Sequence, residues 1–216
     1  MPHHLTLEVV DADGALREVL DAKDSRASFL KKAVFAGGGI AVAGVTIGGL
    51  PKLSFAAPGP TQDAEILNFA LLLEYLESEF YVQAVAGGAL SGETLTFAKV
   101  VKAHELAHVA FLKKALGSKA IKKPTFDFKG TTEDMTKFQA TAIVLEDTGV
   151  SAYNGQGPRL TKPTLAAAGS IVSVEARHAA WIRNIANKNP APVAFDKALT
   201  KAQVEAAVGK TGFITS

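Results

Sequence analysis

The sequence predicts an all-α protein: an antiparallel four-helix bundle built from two repeated helical hairpins, with a short C-terminal helix after it. Three observations carry this reading. From residue 61 onward apolar residues recur at three- and four-residue steps, and no stretch alternates as a half-buried strand would. Start and stop signals divide that part into four long segments. The second pair of segments repeats the first in register.

The first helix is expected from about Asp63 to Ala86, where Gly87-Gly88 stops it; Ile66, Phe69, Leu73, Leu76 and Phe80 form its apolar stripe. The second starts after Ser91 and runs to Leu116, with Gly117 as its C-terminal stop. The third opens at Thr131, where Asp134 completes a capping box, and runs to about Tyr153, ending near Gly155. The fourth begins at Pro163, a favourable first helical position, and runs to about Asn187. Thr200 and Gln203 cap a short last helix. Short links make each pair of helices antiparallel neighbours. The longer link Ser118–Thr131, which Phe126 and Phe128 pack down, joins the hairpins.

Residues 1–56 read as an export leader and residues 57–216 as the bundle domain. Residues 33–50 carry no charge, Lys31 and Lys32 precede them, and Ser54 and Ala56 follow at small-residue spacing. This is the order of a secretory signal and its cleavage site. The glycines in the run make a poor free-standing membrane span, so a cleaved signal is expected, with an uncleaved membrane anchor as the alternative. Ser25-Arg26-Ala27-Ser28-Phe29-Leu30-Lys31 resembles the twin-arginine export motif, with Ala27 where the second Arg belongs. A periplasmic or extracellular location follows. The chain has 216 residues, 20% of them charged, and a net charge of +2, which gives no reason to expect a nucleic-acid partner. Lacking Cys, it has no disulfide, thiolate metal site or Cys nucleophile.

The repeat carries the chemistry. Glu74 and Tyr81 stand in the first helix as Glu146 and Tyr153 stand in the third. HELAHVAFLK (104–113) and VEARHAAWIR (174–183) share the pattern Glu-x-x-His-x-Ala-aromatic-aliphatic-basic. Residues three apart lie on one helix face, so Glu105 points with His108, and Glu175 with His178. The apolar neighbours Val101, Leu112, Ile171 and Ile182 turn those faces inward. Four buried carboxylates are not tolerable without counter-charge. Two divalent cations balance them, and the imidazoles add neutral donors. One Glu from each of two helices plus Glu-x-x-His from each of the others is the di-iron carboxylate pattern of helical bundles.

On the segments LEYLESEFY, HELAHVAFL, FDF, LEDTGVSAYNG, VEARHAAWIR and FDKALTKAQV, the chain resembles the ferritin-like domain family often labelled desiccation-associated, over about residues 61–213. The resemblance implies a ferritin-like bundle with two Fe or Mn ions. Glu105 and Glu175 would bridge them, Glu74 and Glu146 would be terminal ligands, and His108 and His178 would complete each ion. Paired Fe or Mn can cycle between oxidation states, which favours redox chemistry with a small oxidant, oxygen or peroxide, and the family's link to desiccation suits a role in envelope stress protection. A homo-oligomer and a membrane tether through the leader are compatible with it.

Other readings stand beside this one. Glu77 shares a face with Glu74, and the repeat pairs it with Gly149, so it is a supporting or alternative ligand; Glu79 is expected in solvent. Tyr81 and Tyr153 either hydrogen-bond ligand carboxylates or only pack, and Trp181 and Phe111 are assigned to packing. His104 is a surface residue or a partner of a ligand. It also completes His-Glu-x-x-His, the zinc-protease signature, although the repeat has Val174 in its place. A non-enzymatic stress protein with a stabilising metal site is the further alternative.

Overall fold

The computed structural model describes residues 59–215. Among these it is all-helical: α1 Pro60–Gly87, α2 Gly92–Leu116, α3 Met135–Gln156, α4 Lys162–Ile185 and α5 Lys201–Thr211. The export leader of residues 1–56, with its cleavage site and its membrane-anchor alternative, lies outside the described residues. No helix among them is long and apolar enough to cross a membrane.

α1 packs along α2 and α3 along α4, and the two hairpins meet through α1 against α3 and α2 against α4. α1 runs on through Gly87 and α3 through Gln156, past their expected ends, which leaves short links at residues 88–91 and 157–161. Pro60 begins α1 because a first-turn N–H needs no helical partner. Gly88 ends it in the left-handed conformation, at φ 73°. The predicted apolar stripe is buried throughout, with Leu76 and Phe80 at 1% and 0% exposure.

One start differs from expectation. α3 is capped by Asp134, whose carboxylate accepts the Lys137 amide at 2.8 Å, and Thr131 is not its cap. The Thr131 amide and hydroxyl are both donated to the Phe128 carbonyl, at 3.0 and 2.7 Å. A turn therefore closes before the helix opens. The Thr200–Gln203 capping box of α5 is present as expected.

The crossover between hairpins, residues 117–134, is pinned to the C-terminal tail. Asp127 donates its amide to Phe213 at 2.8 Å, Thr215 donates to Thr125 at 3.0 Å, and Phe126 bridges to Ile214. Phe128 sits edge-on to Phe80 and Phe213, each at 5.3 Å between ring centroids. Phe80 stacks on Phe138 at 5.1 Å, with the fully buried Tyr81 and Phe97 beside them. This aromatic layer joins both hairpins and closes one side of the polar centre. Phe111 does not share its repeat partner's role: Trp181 lies edge-on to Phe97, whereas Phe111 is 44% exposed. Phe111 is six residues from Glu105 and so lies round the side of α2 from the inward face.

Candidate metal centre

The helix faces that carry the two Glu-x-x-His pairs point inward for the reason their sequence gives. Val101, Leu112, Ile171 and Ile182 lie on them and are all buried. α1 brings Glu74 and α3 brings Glu146 from the other side. Glu105, Glu146 and Glu175 are fully buried, and Glu74 is 1% exposed.

The six residues form two overlapping groups. Glu74, Glu105, His108 and Glu175 make one; Glu105, Glu146, Glu175 and His178 make the other. Within each, one donor atom per residue lies within 4.8 Å of all the rest. Glu105 and Glu175 belong to both groups, with Glu74 and Glu146 at opposite ends. Nδ1 of His108 is 3.0 Å from Glu175 and 3.3 Å from both Glu74 and Glu105. Nδ1 of His178 is 3.2 Å from both Glu105 and Glu146 and 3.7 Å from Glu175.

His108 Nδ1 pairs with Oε2 of Glu105 at 3.3 Å, but the other approaches are poorly directed for hydrogen bonding. Oε2 of Glu74, Oε1 of Glu105, Oε2 of Glu146, both oxygens of Glu175 and Nδ1 of His178 are buried and make no hydrogen bond. Native interiors leave few buried polar atoms without partners, and here six converge in one place. Oxygen and imidazole donors at this spacing could hold metal.

The electrostatics agree. Burial raises the Glu105 carboxyl well above its usual range, as do the charges of Glu175 and Glu74. Glu146 is pushed up to about 7, by burial first and by Glu175 after it. Burial would lower both imidazoles, but the surrounding carboxylates outweigh it and hold His108 and His178 up at about 12. Without a cation, the centre takes up protons to offset its own negative charge.

The two tyrosines do more than pack. Tyr153 donates its hydroxyl to Oε1 of Glu74 at 2.5 Å, and Tyr81 donates to Oε1 of Glu146. Each end carboxylate is thus held by one oxygen, leaving the other to face the centre. Glu77 is 3% exposed and joins neither group. Its carboxylate fits against Gly149, where a Cβ would lie 3.3 Å from Oε1 of Glu77 and 3.6 Å from Oε2 of Glu175. Glu79 lies at the surface, where Lys123 of the crossover and the Gln83 amide both donate to it.

His104 joins neither group. Its Nδ1 lies 2.8 Å from Nε2 of His178, on the side away from the carboxylates, so the paired imidazoles of a His-Glu-x-x-His zinc site do not form. A groove of about 500 Å³ between α2 and α4 reaches the imidazoles of His104, His108 and His178. Val100, Ala107, Val174, Arg177 and Trp181 complete its walls. The sequence reading did not single out these wall positions as a group. Their signal is spacing: Val100, Ala107, Val174 and Trp181 each lie three or four residues from a histidine of their own helix, and Arg177 adjoins His178.

Residues 62–188 match the family model described as a ferritin-like domain, a span that takes in all four bundle segments and every donor of both groups. No curated protein matches the chain significantly.

Proposed function

The chain belongs to the ferritin-like domain family, and from that premise we propose that it is a di-metal carboxylate protein acting on oxygen or peroxide. Its buried cluster of glutamates and histidines is one that can hold metal. The observation that carries the reading is the convergence of five carboxylate oxygens and an imidazole nitrogen, all buried and without hydrogen bonds.

In this reading Glu105 and Glu175 would be shared between two ions, Glu74 and Glu146 would be terminal ligands, and His108 and His178 would supply one nitrogen each. Bound Fe or Mn would supply redox chemistry toward oxygen or peroxide, such as oxidation of Fe(II) or dismutation of peroxide. The chain's own part is to hold and orient. Tyr81 and Tyr153 fix the terminal carboxylates, and the aromatic layer keeps bulk water from one side. The groove beside His104 gives a small oxidant its approach. The leader of residues 1–56 supports export, and the role we infer is protection of the cell envelope under oxidative stress.

The test compares full-length protein loaded with Fe, Mn or Zn, each confirmed by metal analysis, for consumption of oxygen and of peroxide. Turnover with Fe or Mn and none with Zn is expected. Fe- or Mn-loaded protein that consumes neither oxidant, yet gains thermal stability from all three metals, would make the site a structural one.

A further inference from the structure

The two halves of the centre are related by the sequence repeat, but their surroundings are not equal. His178 turns Nδ1 toward the carboxylates and Nε2 toward Nδ1 of His104, at 2.8 Å. The two rings meet edge to edge and nearly coplanar, with centroids 5.1 Å apart and planes 21° from parallel. His108 likewise turns Nδ1 toward the carboxylates, but its Nε2 has no hydrogen-bond partner among the described residues. The repeat puts Val174 where a partner would stand, and Val174 lines the same groove as His108. The side chain of His178 is 4% exposed and that of His108 is 12%.

A neutral imidazole that gives Nδ1 to a metal keeps its proton on Nε2. An acceptor for that N–H fixes the tautomer, steadies the ring and makes the imidazole a better donor. His104 offers such an acceptor to His178, and nothing equivalent serves His108. We propose that His104 is a positioning residue that makes the two metal positions unequal. The position held by Glu105, Glu146, Glu175 and His178 fills first and keeps its ion longer. The inference rests on the di-metal reading above and adds an order of loading to it.

Repulsion between the ions separates two binding steps in any such site, so the informative quantity is how substitution changes that separation. Metal-free full-length protein would be titrated with Co(II), followed by its visible absorption and by competition with a chelator. His104→Val, which copies the other half of the repeat, is expected to weaken the first step about 10–100-fold, the usual effect of losing such a partner. It leaves the second step and the helical circular dichroism unchanged. His104→Gln, whose amide oxygen can accept the same bond, restores much of the first step. Val174→His gives His108 a partner and strengthens the second step. His178→Ala abolishes the tight step, and His108→Ala the weak one. Two steps that His104→Val leaves untouched would overturn the inference while keeping the di-metal reading. Failure of the wild type to bind Co(II), Fe(II) and Mn(II) would overturn both.

Discussion

Tyr153 on α3 donates its hydroxyl to Glu74 on the neighbouring α1 at 2.5 Å, and Tyr81 on α1 makes the reciprocal bond to Glu146 on α3. The two hairpins are cross-braced at the residues that close the polar centre. Tyr153→Phe keeps the ring and strands Oε1 of Glu74 in a buried site. The expected cost is about 1–3 kcal/mol of metal-free stability, that of orphaning a buried acceptor, with roughly 10–100-fold weaker metal binding. Denaturant unfolding and chelator competition measure the two effects. An unchanged protein by both would show that the phenol only packs.

The repeat made these tyrosines visible in the sequence, because Glu74–Tyr81 and Glu146–Tyr153 share one register. It could not show that each tyrosine serves the other hairpin's glutamate, since that depends on how α1 lies against α3. The inward faces of Glu105, His108, Glu175 and His178 were legible because helical period and apolar neighbours fix them locally. The start of α3 was not. Thr131 has the right residue type for a cap, but its hydroxyl and amide are taken by Phe128, a tertiary arrangement of the crossover. Glu79 lies at the surface as expected, but its ion pair with Lys123 was not legible, because Lys123 arrives from a distant loop.

Gly149 makes room for a fifth carboxylate. In Gly149→Ala the new methyl meets Oε1 of Glu77 at 3.3 Å and touches Oε2 of Glu175 at 3.6 Å, so the Glu77 carboxylate must shift beside Glu175 and metal retention is expected to fall. Where Glu77 is first replaced by Ala, the same change gains the ordinary helix advantage of Ala over Gly, about 1 kcal/mol. Unfolding and metal content of the two single variants and the double variant check this. Equal effects of Gly149→Ala in both backgrounds would contradict it.

Without metal, stability is expected to fall as pH rises from 6 to 9. His108 and His178 hold their protons up to about 12, above the ordinary 6.5. Their contribution is therefore complete below about pH 6.5 and drains away toward 12. Glu146, raised to about 7 from 4.5, drains over that lower interval. Glu175 runs the other way: burial would raise it, but the two imidazoles beside it hold it down at about 2, so its contribution is lost only in acid. Metal needs deprotonated ligands, so the rise in Tm on adding Mn(II) should grow over the same range. Thermal melts at each pH, with and without the ion, decide it; a metal-free Tm that climbs from pH 6 to 9 would contradict the assignment.

Gly155 lets the segment before α5 lie against α3. A Cβ there would fall 1.8 Å from the carbonyl oxygen of Leu199, whose amide is donated to Ser151 at 3.0 Å. Gly155→Ala should destabilise by about 1–3 kcal/mol, in the range of overpacking. Gly169→Ala, on α4 with nothing within 4 Å of the new methyl, should stabilise by about 0.5–1 kcal/mol. Parallel denaturant melts of the two variants give the contrast, and similar effects in both would refute the close approach.

The most direct test of the central claim is metal stoichiometry. Full-length protein would be loaded anaerobically with Fe(II) or Mn(II), desalted and measured by mass spectrometry, alongside Glu105→Ala with Glu175→Ala. Two ions per chain in the wild type, lost in the double variant whose helical content is retained, is the predicted result. A wild type that retains no ion, or a double variant that keeps both, would contradict a di-metal centre built on these carboxylates.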